Sequence, residues 1–139
     1  MVNFVNNHKG EHPFLSITAC SAGKDIGGGS LNDSIIVSFT KHFNNIVGIE
    51  GNTATCQPGV YYRDFEKYTL KHGLIFPSYP ASREICAIGG IVNNNSGGEK
   101  SFEYGKTENF VKKLKMVLSD GTEYEFKALT NRELAQKLL

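Results

Sequence analysis

The sequence predicts an α+β fold, in which short strands and helices follow one another without a regular repeat. Residues 34–39 read Ser-Ile-Ile-Val-Ser-Phe, a short apolar run rich in β-branched residues that is typical of a strand. Residues 62–72 place aromatic side chains at helical spacing, and Gly73 follows as a stop signal. Asp120 and Gly121 form a strong hairpin turn signal between two further strand-like runs.

The remaining elements follow in chain order from the same kinds of signal. The N-terminal segment has the pattern of a helix end, and a Thr-x-x-Glu capping box opens a last helix. We predict a helix end at 4–9, strands at 16–20 and 34–39, a hairpin from 46–50 and 54–57, a helix at 62–72, a second hairpin from 109–118 and 122–126, and a helix at 132–139. The aromatic residues expected in the core are Phe65, Tyr68, Phe76 and Phe126.

Length and composition describe a globular chain with a modest core. The 139 residues suffice for one domain, and the formal net charge is +1 with both signs interspersed. No basic face therefore points to nucleic acid. No stretch approaches the roughly 20 apolar residues that span a bilayer, and residues 1–10 lack the apolar core of a signal peptide. We expect a cytoplasmic chain without a transmembrane segment; peripheral membrane association through a partner stays open.

The cysteines and histidines give no indication of a metal site. The three cysteines, Cys20, Cys56 and Cys86, lack zinc-site spacing, and an odd number cannot all pair within the chain. The histidines show no HExxH or paired-ligand spacing. We therefore predict reduced thiols and no metal. His72 precedes Gly73 near a helix end, where a cation suits the helix dipole.

A first glycine-rich segment follows the strand predicted at 16–20. It spans 21–30 and reads Ser-Ala-Gly-Lys-Asp-Ile-Gly-Gly-Gly-Ser. Successive backbone N–H groups in such a turn form a nest that binds phosphate oxygens. The segment is not a P-loop, because Thr18 stands where that motif needs glycine and Asp25 where it needs Ser or Thr. A Rossmann strand-GxGxxG-helix unit is also lacking. For one such cluster an ordinary turn is the alternative.

A second, longer segment of the same character spans 77–105. It contains Pro-Ser-Tyr-Pro-Ala-Ser at 77–82, Ile-Gly-Gly at 88–90, Asn-Asn-Ser-Gly-Gly at 94–98 and Tyr-Gly at 104–105. Glycine serves positions where the backbone adopts a positive φ or comes close to another group. The amide and hydroxyl side chains beside it offer hydrogen bonds. Two such clusters favour an extended anionic ligand such as a dinucleotide.

Taken in order, residues from about 16 to 126 resemble the PCMH-type FAD-binding domain of a flavoprotein family. That family includes vanillyl-alcohol oxidase, glycolate oxidase and D-lactate dehydrogenase, and the likeness is greatest to the D-lactate dehydrogenase and glycolate oxidase branch. The order and spacing of the motifs carry the resemblance. The matching stretches are Ser21-Ala22-Gly23 with Asp25 and Gly27-Gly28, Gln57-Pro58-Gly59-Val60, His72-Gly73-Leu74, Pro77 to Ser82, Ile88-Gly89-Gly90, Asn94-Asn95-Ser96-Gly97-Gly98, Tyr104-Gly105-Lys106-Thr107, and Val117-Leu118-Ser119-Asp120-Gly121.

The resemblance implies a two-subdomain FAD-binding fold of the vanillyl-alcohol oxidase type, incomplete at both ends, with FAD between the subdomains. Residues 1–45 would be the C-terminal part of the first subdomain, and 46–139 the N-terminal part of the second. The residues expected to bind FAD are Ser21, Ala22, Gly23, Lys24, Asp25, Gly27, Gly28, Pro58, Gly59, Pro77, Pro80, Ala81, Ser82, Ile88, Gly89, Gly90, Asn94, Asn95, Gly97, Gly98, Tyr104 and Gly105.

Within that set the resemblance implies different roles. Backbone N–H groups, with Ser21, Ser82 and Asn95, would hold the pyrophosphate. A loop containing a glycine turn at 89–90 would let the flavin or its ribityl chain approach the backbone. Tyr104 and Gly105 would shape the wall near the flavin.

Two departures from the family pattern bear on how FAD is held. Cys20 stands where members commonly have arginine, and Lys24 where they commonly have threonine or the histidine that can carry flavin covalently. The resemblance therefore implies non-covalent FAD. We hypothesise that Lys24 supplies the positive charge that Cys20 lacks, and an exposed loop lysine is the open alternative. Cys86 lies near the 89–90 turn, where either a thiol link to flavin or an inert buried thiol fits.

The resemblance also implies that the chain is a fragment. The family has a strand–helix–strand unit before the first phosphate loop, a further strand after the present C-terminus, and a separate substrate domain with the catalytic residues. Of the first unit only the last helical turns and the final strand are expected here, and the other parts are expected to be missing, so the catalytic residues are unknown and the isolated chain is expected to be inactive. A second polypeptide carrying the missing domain is an expected partner beside FAD.

Two functions compete. The first is the FAD-binding portion of a dehydrogenase that oxidises a 2-hydroxy acid such as D-lactate or glycolate. The second is a non-catalytic FAD-binding subunit, or an orphan fragment completed by another chain. Residues 27–32 are faintly similar to the enolpyruvyl sugar-nucleotide reductases, but the 94–107 motif does not fit that branch. An unliganded globular domain would leave two glycine clusters in family order unexplained.

Overall fold

The computed structural model describes residues 1–137, and its elements follow the predicted α+β order. The helices are α1 Val2–His8, α2 Tyr62–Leu70, α3 Ile88–Asn93, α4 Ser101–Tyr104 and α5 Asn131–Lys137, with a 3₁₀ helix at Thr107–Phe110. The strands are β1 Ile17–Cys20, β2 Ile35–Ser38, β3 Ile46–Glu50, β4 Thr53–Cys56, β5 Lys113–Val117 and β6 Glu123–Lys127. Positions 138–139 of the predicted last helix lie outside the described residues. Among the described helices, none is long and apolar enough to cross a membrane.

The strands form three separate two-stranded sheets. β1 and β2 are parallel, with Ile17 opposite Ile35, whereas β3–β4 and β5–β6 are antiparallel hairpins. A parallel pair needs a crossover connection, and here that connection is the first glycine-rich segment rather than a helix. The topology therefore places residues 21–30 at the end of β1, on the route to β2.

The β5–β6 hairpin has one charged and one apolar face. Lys113 and Lys115 form ion pairs with Glu125 and Glu123 of β6, at 3.1 and 3.6 Å. On the other face Leu114 lies opposite Phe126, and Met116 lies opposite Tyr124. Phe126 is 45 % exposed, so its predicted place in the core is wrong. The reason is that no described element packs over this face closely enough to bury it.

Residues 109–112, predicted as the start of a strand, lie outside any strand, because 109–110 belong to a 3₁₀ helix and β5 begins at Lys113. The backbone of the preceding segment is tied to the end of α3. The N–H of Thr107 donates to the carbonyl of Ser96 over 3.1 Å, and the N–H of Glu108 donates to the side-chain oxygen of Asn95 over 2.9 Å. These tertiary bonds favour a 3₁₀ turn at Thr107–Phe110 over strand pairing.

The core lies between α2, the segment that follows it, and α3. Its buried members are Tyr62, Tyr79, Cys86 and Ile91, with the partly buried Phe76 and Ile88 packed against them. Phe65 is also buried, in agreement with the prediction, and Tyr68 is half-buried. The core therefore supports residues 76–91, which carry much of the second glycine-rich segment.

Residues 88–98 were expected as a loop with a glycine turn at 89–90, and this is wrong. Residues 88–93 form helix α3, so Gly89 and Gly90 lie in its first turn. The N–H groups of Ile88 and Gly89 donate to the carbonyls of Val60 and Pro58, each over 2.8 Å. Backbone acceptors therefore satisfy N–H groups that a helix start leaves open, and they offset the low helix propensity of the two glycines.

Helix α2 ends as its sequence predicts, although two residues before the expected His72. Gly73 follows with φ +70°, and its N–H donates to the carbonyl of Leu70 over 3.0 Å. A ring nitrogen of His72 lies 3.0 Å from the carbonyl of Tyr68. The predicted structural role of His72 at the helix C-terminus is confirmed.

The capping box at the start of α5 gives a pH-dependent prediction. Glu133 accepts from the backbone N–H of Thr130 over 2.8 Å, and its own N–H donates to the Thr130 hydroxyl over 3.3 Å. The Thr130 backbone N–H, then its hydroxyl and Lys127, lower the pKa of Glu133 from 4.5 to about 2. A lowered pKa in the folded state means that the stabilisation is complete above pH 4.5 and is lost as pH falls through about 2.

We expect a side-chain NMR titration of Glu133 to have its midpoint near pH 2, well below its ordinary value of 4.5. Thr130→Ala removes the hydroxyl but keeps the backbone donor, so it should raise the midpoint only part of the way. An unshifted midpoint in the unmodified chain would contradict the capping box.

Candidate functional site

Three segments that are distant in sequence meet at the start of α3. The Ser21 hydroxyl, just after β1, donates to the carbonyl of Pro58 over 2.9 Å. The same carbonyl accepts from the N–H of Gly89 over 2.8 Å. A Cβ at Gly90 would lie 3.7 Å from the Cβ of Ser21, which is ordinary van der Waals contact. The structure therefore brings predicted residues from both glycine-rich segments to one place, with Pro58 between them.

Pro58 approaches α3 so closely that Gly89 admits no side chain. A Cβ at Gly89 would lie 2.6 Å from the Cβ of Pro58 and 2.9 Å from its carbonyl oxygen. The glycine at position 89 therefore allows α3 to pack against Pro58. Gly90, by contrast, accepts a Cβ in ordinary contact with Ser21, so it lies where the first loop meets α3.

The first loop offers backbone donors. Within residues 1–137, the N–H groups of Ala22, Gly23 and Lys24 have no protein acceptor. Gly23 has φ +65°, the left-handed conformation found in backbone nests. Such consecutive N–H groups suit an anion, and Lys24 and Gly23 are exposed to solvent there.

The Asp25 carboxylate binds two glycine donors further along the loop. One oxygen of its carboxylate accepts from the N–H of Gly27 over 3.0 Å, and the other accepts from the N–H of Gly29 over 2.5 Å. Gly28 lies between them with φ +76°. The loop is therefore closed on its own carboxylate.

At the end of α3 the Asn-Asn-Ser-Gly-Gly motif forms a helix stop. Asn95 adopts φ +43°, its N–H donates to the carbonyl of Val92, and the N–H of Ser96 donates to that of Ile91. This is the pattern of a Schellman motif with asparagine in place of glycine. The side-chain oxygen of Asn95 accepts from the N–H of Glu108, so this oxygen holds the 3₁₀ turn.

A buried hydroxyl cluster fixes the second loop below that motif. Ser78 and Thr107, both about fully buried, donate to the carbonyl of Ser96 over 2.9 and 2.7 Å. The backbone of Tyr79 lies against Gly98 with no space for a Cβ. Sequence reasoning missed the roles of Ser78 and Thr107; their only signal was their position inside the two family motifs.

The other predicted residues lie around these two groups. Pro77 is buried, Pro80 and Ser82 are half-buried, and Ala81 is exposed. Gly97 lies beside Ser101, whose hydroxyl accepts from the N–H of Gly98 over 2.8 Å. Tyr104 is 41 % exposed at the end of α4, and Gly105 follows with φ +82°. Helix α3 connects the groups, since Ile88 begins it beside Pro58 and Asn94 caps its other end.

The three thiols are free. Burial raises the pKa of Cys86, a buried member of the core, and raises the pKa of Cys56 to about 11. Because the thiolate is the reactive form, neither thiol is activated at neutral pH. No group of three or more His, Cys, Asp or Glu side chains within the described part of the chain is arranged to hold a metal ion.

Solved structures share this fold. The chain superposes on 6-hydroxy-D-nicotine oxidase from Arthrobacter nicotinovorans with a TM-score of 0.77 and 23 % identity, covering 91 % of this chain and 26 % of that one. A carbohydrate oxidase from Microdochium nivale gives 0.77 and 19 %, over 94 % and 28 % of the two chains. The predicted α+β fold is confirmed, and it defines the class as PCMH-type FAD-binding folds.

The family follows from the sequence itself. The model of the FAD binding domain family matches residues 11–127, and the chain belongs to this family. FAD is the cofactor of the family, and the prediction of that cofactor is confirmed.

Curated relatives include the glycolate oxidase subunit GlcD of Bacillus subtilis (strain 168), 39 % identical over 110 residues, or 77 % of this chain and 23 % of the relative. The D-lactate dehydrogenase of Archaeoglobus fulgidus is 32 % identical over 71 % of this chain and 23 % of its own length. The D-2-hydroxyglutarate dehydrogenase of Haemophilus influenzae is 27 % identical over 92 % of this chain and 13 % of its own length. The predicted likeness to the glycolate oxidase and D-lactate dehydrogenase branch is confirmed. The chain spans less than a quarter of the length of these relatives.

Proposed function

We propose that this chain binds FAD non-covalently and is the FAD-binding portion of an oxidoreductase that acts on a 2-hydroxy acid such as D-lactate or glycolate. The observation that carries the proposal is the meeting of the first loop, Pro58 and the start of α3. A run of consecutive N–H groups without a protein acceptor among the described residues lies in that first loop, at residues 21–26, and includes the donors at 22–24.

The donors and the space at this place fit the cofactor. Backbone N–H groups at 22–24 match the phosphate oxygens of a dinucleotide, and the adjoining Lys24 adds a positive charge. A Cβ at Gly90 would be in ordinary contact with Ser21, and a longer side chain would extend beyond that contact, where the proposed ligand would lie. The Ser21 hydroxyl is engaged with Pro58, so its backbone rather than its side chain would face the ligand. When bound, FAD supplies the redox chemistry, and the chain holds and orients it.

Non-covalent attachment agrees with the residues near the site. Lys24 occupies the position at which relatives with covalent flavin would carry histidine, and an amine on a flexible stem binds phosphate as a point charge. Burial raises the pKa of Cys86, so this thiol stays protonated and is a poor nucleophile toward flavin.

Substrate binding and catalysis belong, in this proposal, to residues outside the chain. The names of the relatives favour a small 2-hydroxy acid, and the chain spans less than a quarter of their length. We further propose that residues 1–45 and 46–139 belong to the two subdomains between which FAD lies.

A second candidate is a non-catalytic FAD-binding subunit that another polypeptide completes. The apolar face of the β5–β6 hairpin favours it, because Met116, Tyr124 and Phe126 are each at least 40 % exposed there. A two-stranded hairpin is marginally stable alone, and an uncovered apolar face favours association.

Titration of the purified chain with FAD tests the proposal. We expect saturable one-to-one binding by calorimetry and by flavin fluorescence. Gly90→Leu should weaken binding at least about tenfold, equivalent to about 1.4 kcal/mol, because the side chain fills the space beside Ser21. The chain should stay folded, since leucine is a better helix former than glycine.

The matched control is Gly10→Leu, because a Cβ at Gly10 meets nothing within 4 Å. This variant should bind FAD as the unmodified chain does. A folded chain that does not bind FAD would overturn the proposal, and equal binding by both variants would move the site away from α3.

A further inference from the structure

The first loop carries its own anion. Both oxygens of the Asp25 carboxylate accept backbone hydrogen bonds, from Gly27 over 3.0 Å and from Gly29 over 2.5 Å. A Cβ at Gly29 would lie 2.5 Å from an Asp25 oxygen. The carboxylate can therefore bind the Gly29 N–H only because Gly29 has no side chain. A carboxylate thus sits in the kind of backbone concavity that receives phosphate oxygens.

This arrangement divides the loop into two sets of donors. The N–H groups at residues 21–26 have no protein acceptor within residues 1–137, whereas those of Gly27 and Gly29 are taken by Asp25. A pyrophosphate that also reached the glycine end of the loop would need the second set as well as the first. It would also meet the negative charge of the carboxylate at close range.

We propose that Asp25 is an intramolecular competitor for the pyrophosphate of FAD. Its carboxylate closes the loop on Gly27 and Gly29, and the pyrophosphate binds fully only when the carboxylate leaves. The inference rests on the proposed function, namely that the chain binds FAD at this loop. Asp25 is therefore a positioning residue that sets affinity for the phosphate part of the ligand, and not for its flavin ring.

Asp25→Asn tests this with little change of shape. The amide oxygen can still accept one of the two N–H groups, but the negative charge is lost. The lost charge would lie about 5 Å from a phosphate, in an exposed loop where solvent and salt screen part of the repulsion. Its removal should tighten FAD binding by about five- to tenfold. Riboflavin, which has no phosphate, should bind the two proteins equally. Asp33→Asn is the control, because Asp33 is exposed in the same β1–β2 connection and should leave FAD affinity unchanged.

A second readout separates this inference from the proposed function. Inorganic pyrophosphate should shift the backbone amide NMR signals of Gly27 and Gly29 at lower concentration in Asp25→Asn than in the unmodified chain. If FAD fails to bind any variant while pyrophosphate still shows this difference, the proposed function fails and the competition stands. FAD binding that is unchanged or weakened in Asp25→Asn would overturn the competition, and so would amide signals that do not respond to pyrophosphate in either protein.

Discussion

Gly59→Ala is expected to destabilise the chain by at least about 3 kcal/mol, at the upper end of what overpacking costs. Gly59 is buried against the backbone of Phe39 and Phe43. A Cβ there would collide with the carbonyl of Phe39 and would lie 2.6 Å from the carbonyl oxygen of Phe43. Because these atoms are backbone, no side-chain rotation can relieve the collision.

The same contact joins residues 1–45 to the rest of the chain. The N–H of Gly59 donates to the carbonyl of Phe43 over 2.7 Å, and the N–H of Gln57 donates to that of Asn45 over 2.9 Å. Moving the backbone away to admit a methyl group would therefore break hydrogen bonds as well. Because Pro58 precedes Gly59, the displacement would also pull Pro58 from Ser21 and α3.

Urea denaturation followed by circular dichroism measures the loss. Gly48→Ala is the matched control, since a Cβ at Gly48, in β3, meets nothing within 4 Å. We expect the control to unfold at the same urea concentration as the unmodified chain or slightly above it. Equal midpoints for the two variants would show that the chain has no close approach at Gly59.

Sequence reasoning found the elements whose cause is local. The β5–β6 hairpin turns at Asp120 and Gly121, where the Asp120 side chain accepts from the N–H of Thr122 over 2.9 Å and Gly121 takes φ +80°. The end of α2 at Gly73 and the capping box of α5 are of the same kind. In each case two or three neighbouring residues satisfy the backbone, so the pattern is visible without knowledge of the rest of the chain.

The errors fall where distant residues decide the conformation. Ile88 and Gly89 enter a helix because carbonyls of Val60 and Pro58 accept their N–H groups. Thr107–Phe110 form a 3₁₀ turn because Asn95 and Ser96 hold their backbone. No local signal indicates such partners. The sequence therefore predicts a loop at 88–98, where α3 begins, and a strand at 109–112, where the 3₁₀ helix ends.

The candidate site shows the same limit. The sequence identified glycines that admit a close approach, but it could not say whether the approaching group is a ligand or the protein. At Gly59 and Gly89 the group is the protein's own backbone or proline ring. At Gly90 the neighbour is Ser21 at an ordinary contact distance, so a Cβ is tolerated there. Only the tertiary structure separates glycines that join the halves of the chain from one that can border a cofactor.

Tyr62→Ala is expected to cost about 3–5 kcal/mol, because it removes the largest buried side chain at the centre of the core. The Tyr62 ring is 1 % exposed and lies 5.3 Å from the ring of Tyr79 and 6.2 Å from that of Phe76, between centroids. The resulting cavity would loosen the segment from 76 to 79, and with it the Pro77 and Ser78 backbone under the second loop.

Tyr62→Phe separates packing from hydrogen bonding. The hydroxyl of Tyr62 donates to the carbonyl of Phe76 over 2.8 Å, and it lies 3.2 Å from a carboxylate oxygen of Glu66. Burial, followed by the nearby Glu66 charge, raises the pKa of Tyr62, so this hydroxyl keeps its proton throughout the range in which the chain is folded. Phenylalanine keeps the ring and leaves the Phe76 carbonyl without this donor, which should cost about 1–2 kcal/mol.

Phe126→Ala completes the comparison, since it removes an aromatic ring that is 45 % exposed. In the isolated chain it should cost less than about 1 kcal/mol by urea denaturation, because little of the ring leaves a packed environment. If Tyr62→Ala cost no more than Phe126→Ala, the core would not lie between α2 and α3. If instead Phe126→Ala cost as much as Tyr62→Ala, the apolar face of the β5–β6 hairpin would already be covered in solution. Sedimentation would then be expected to show that the chain associates with itself.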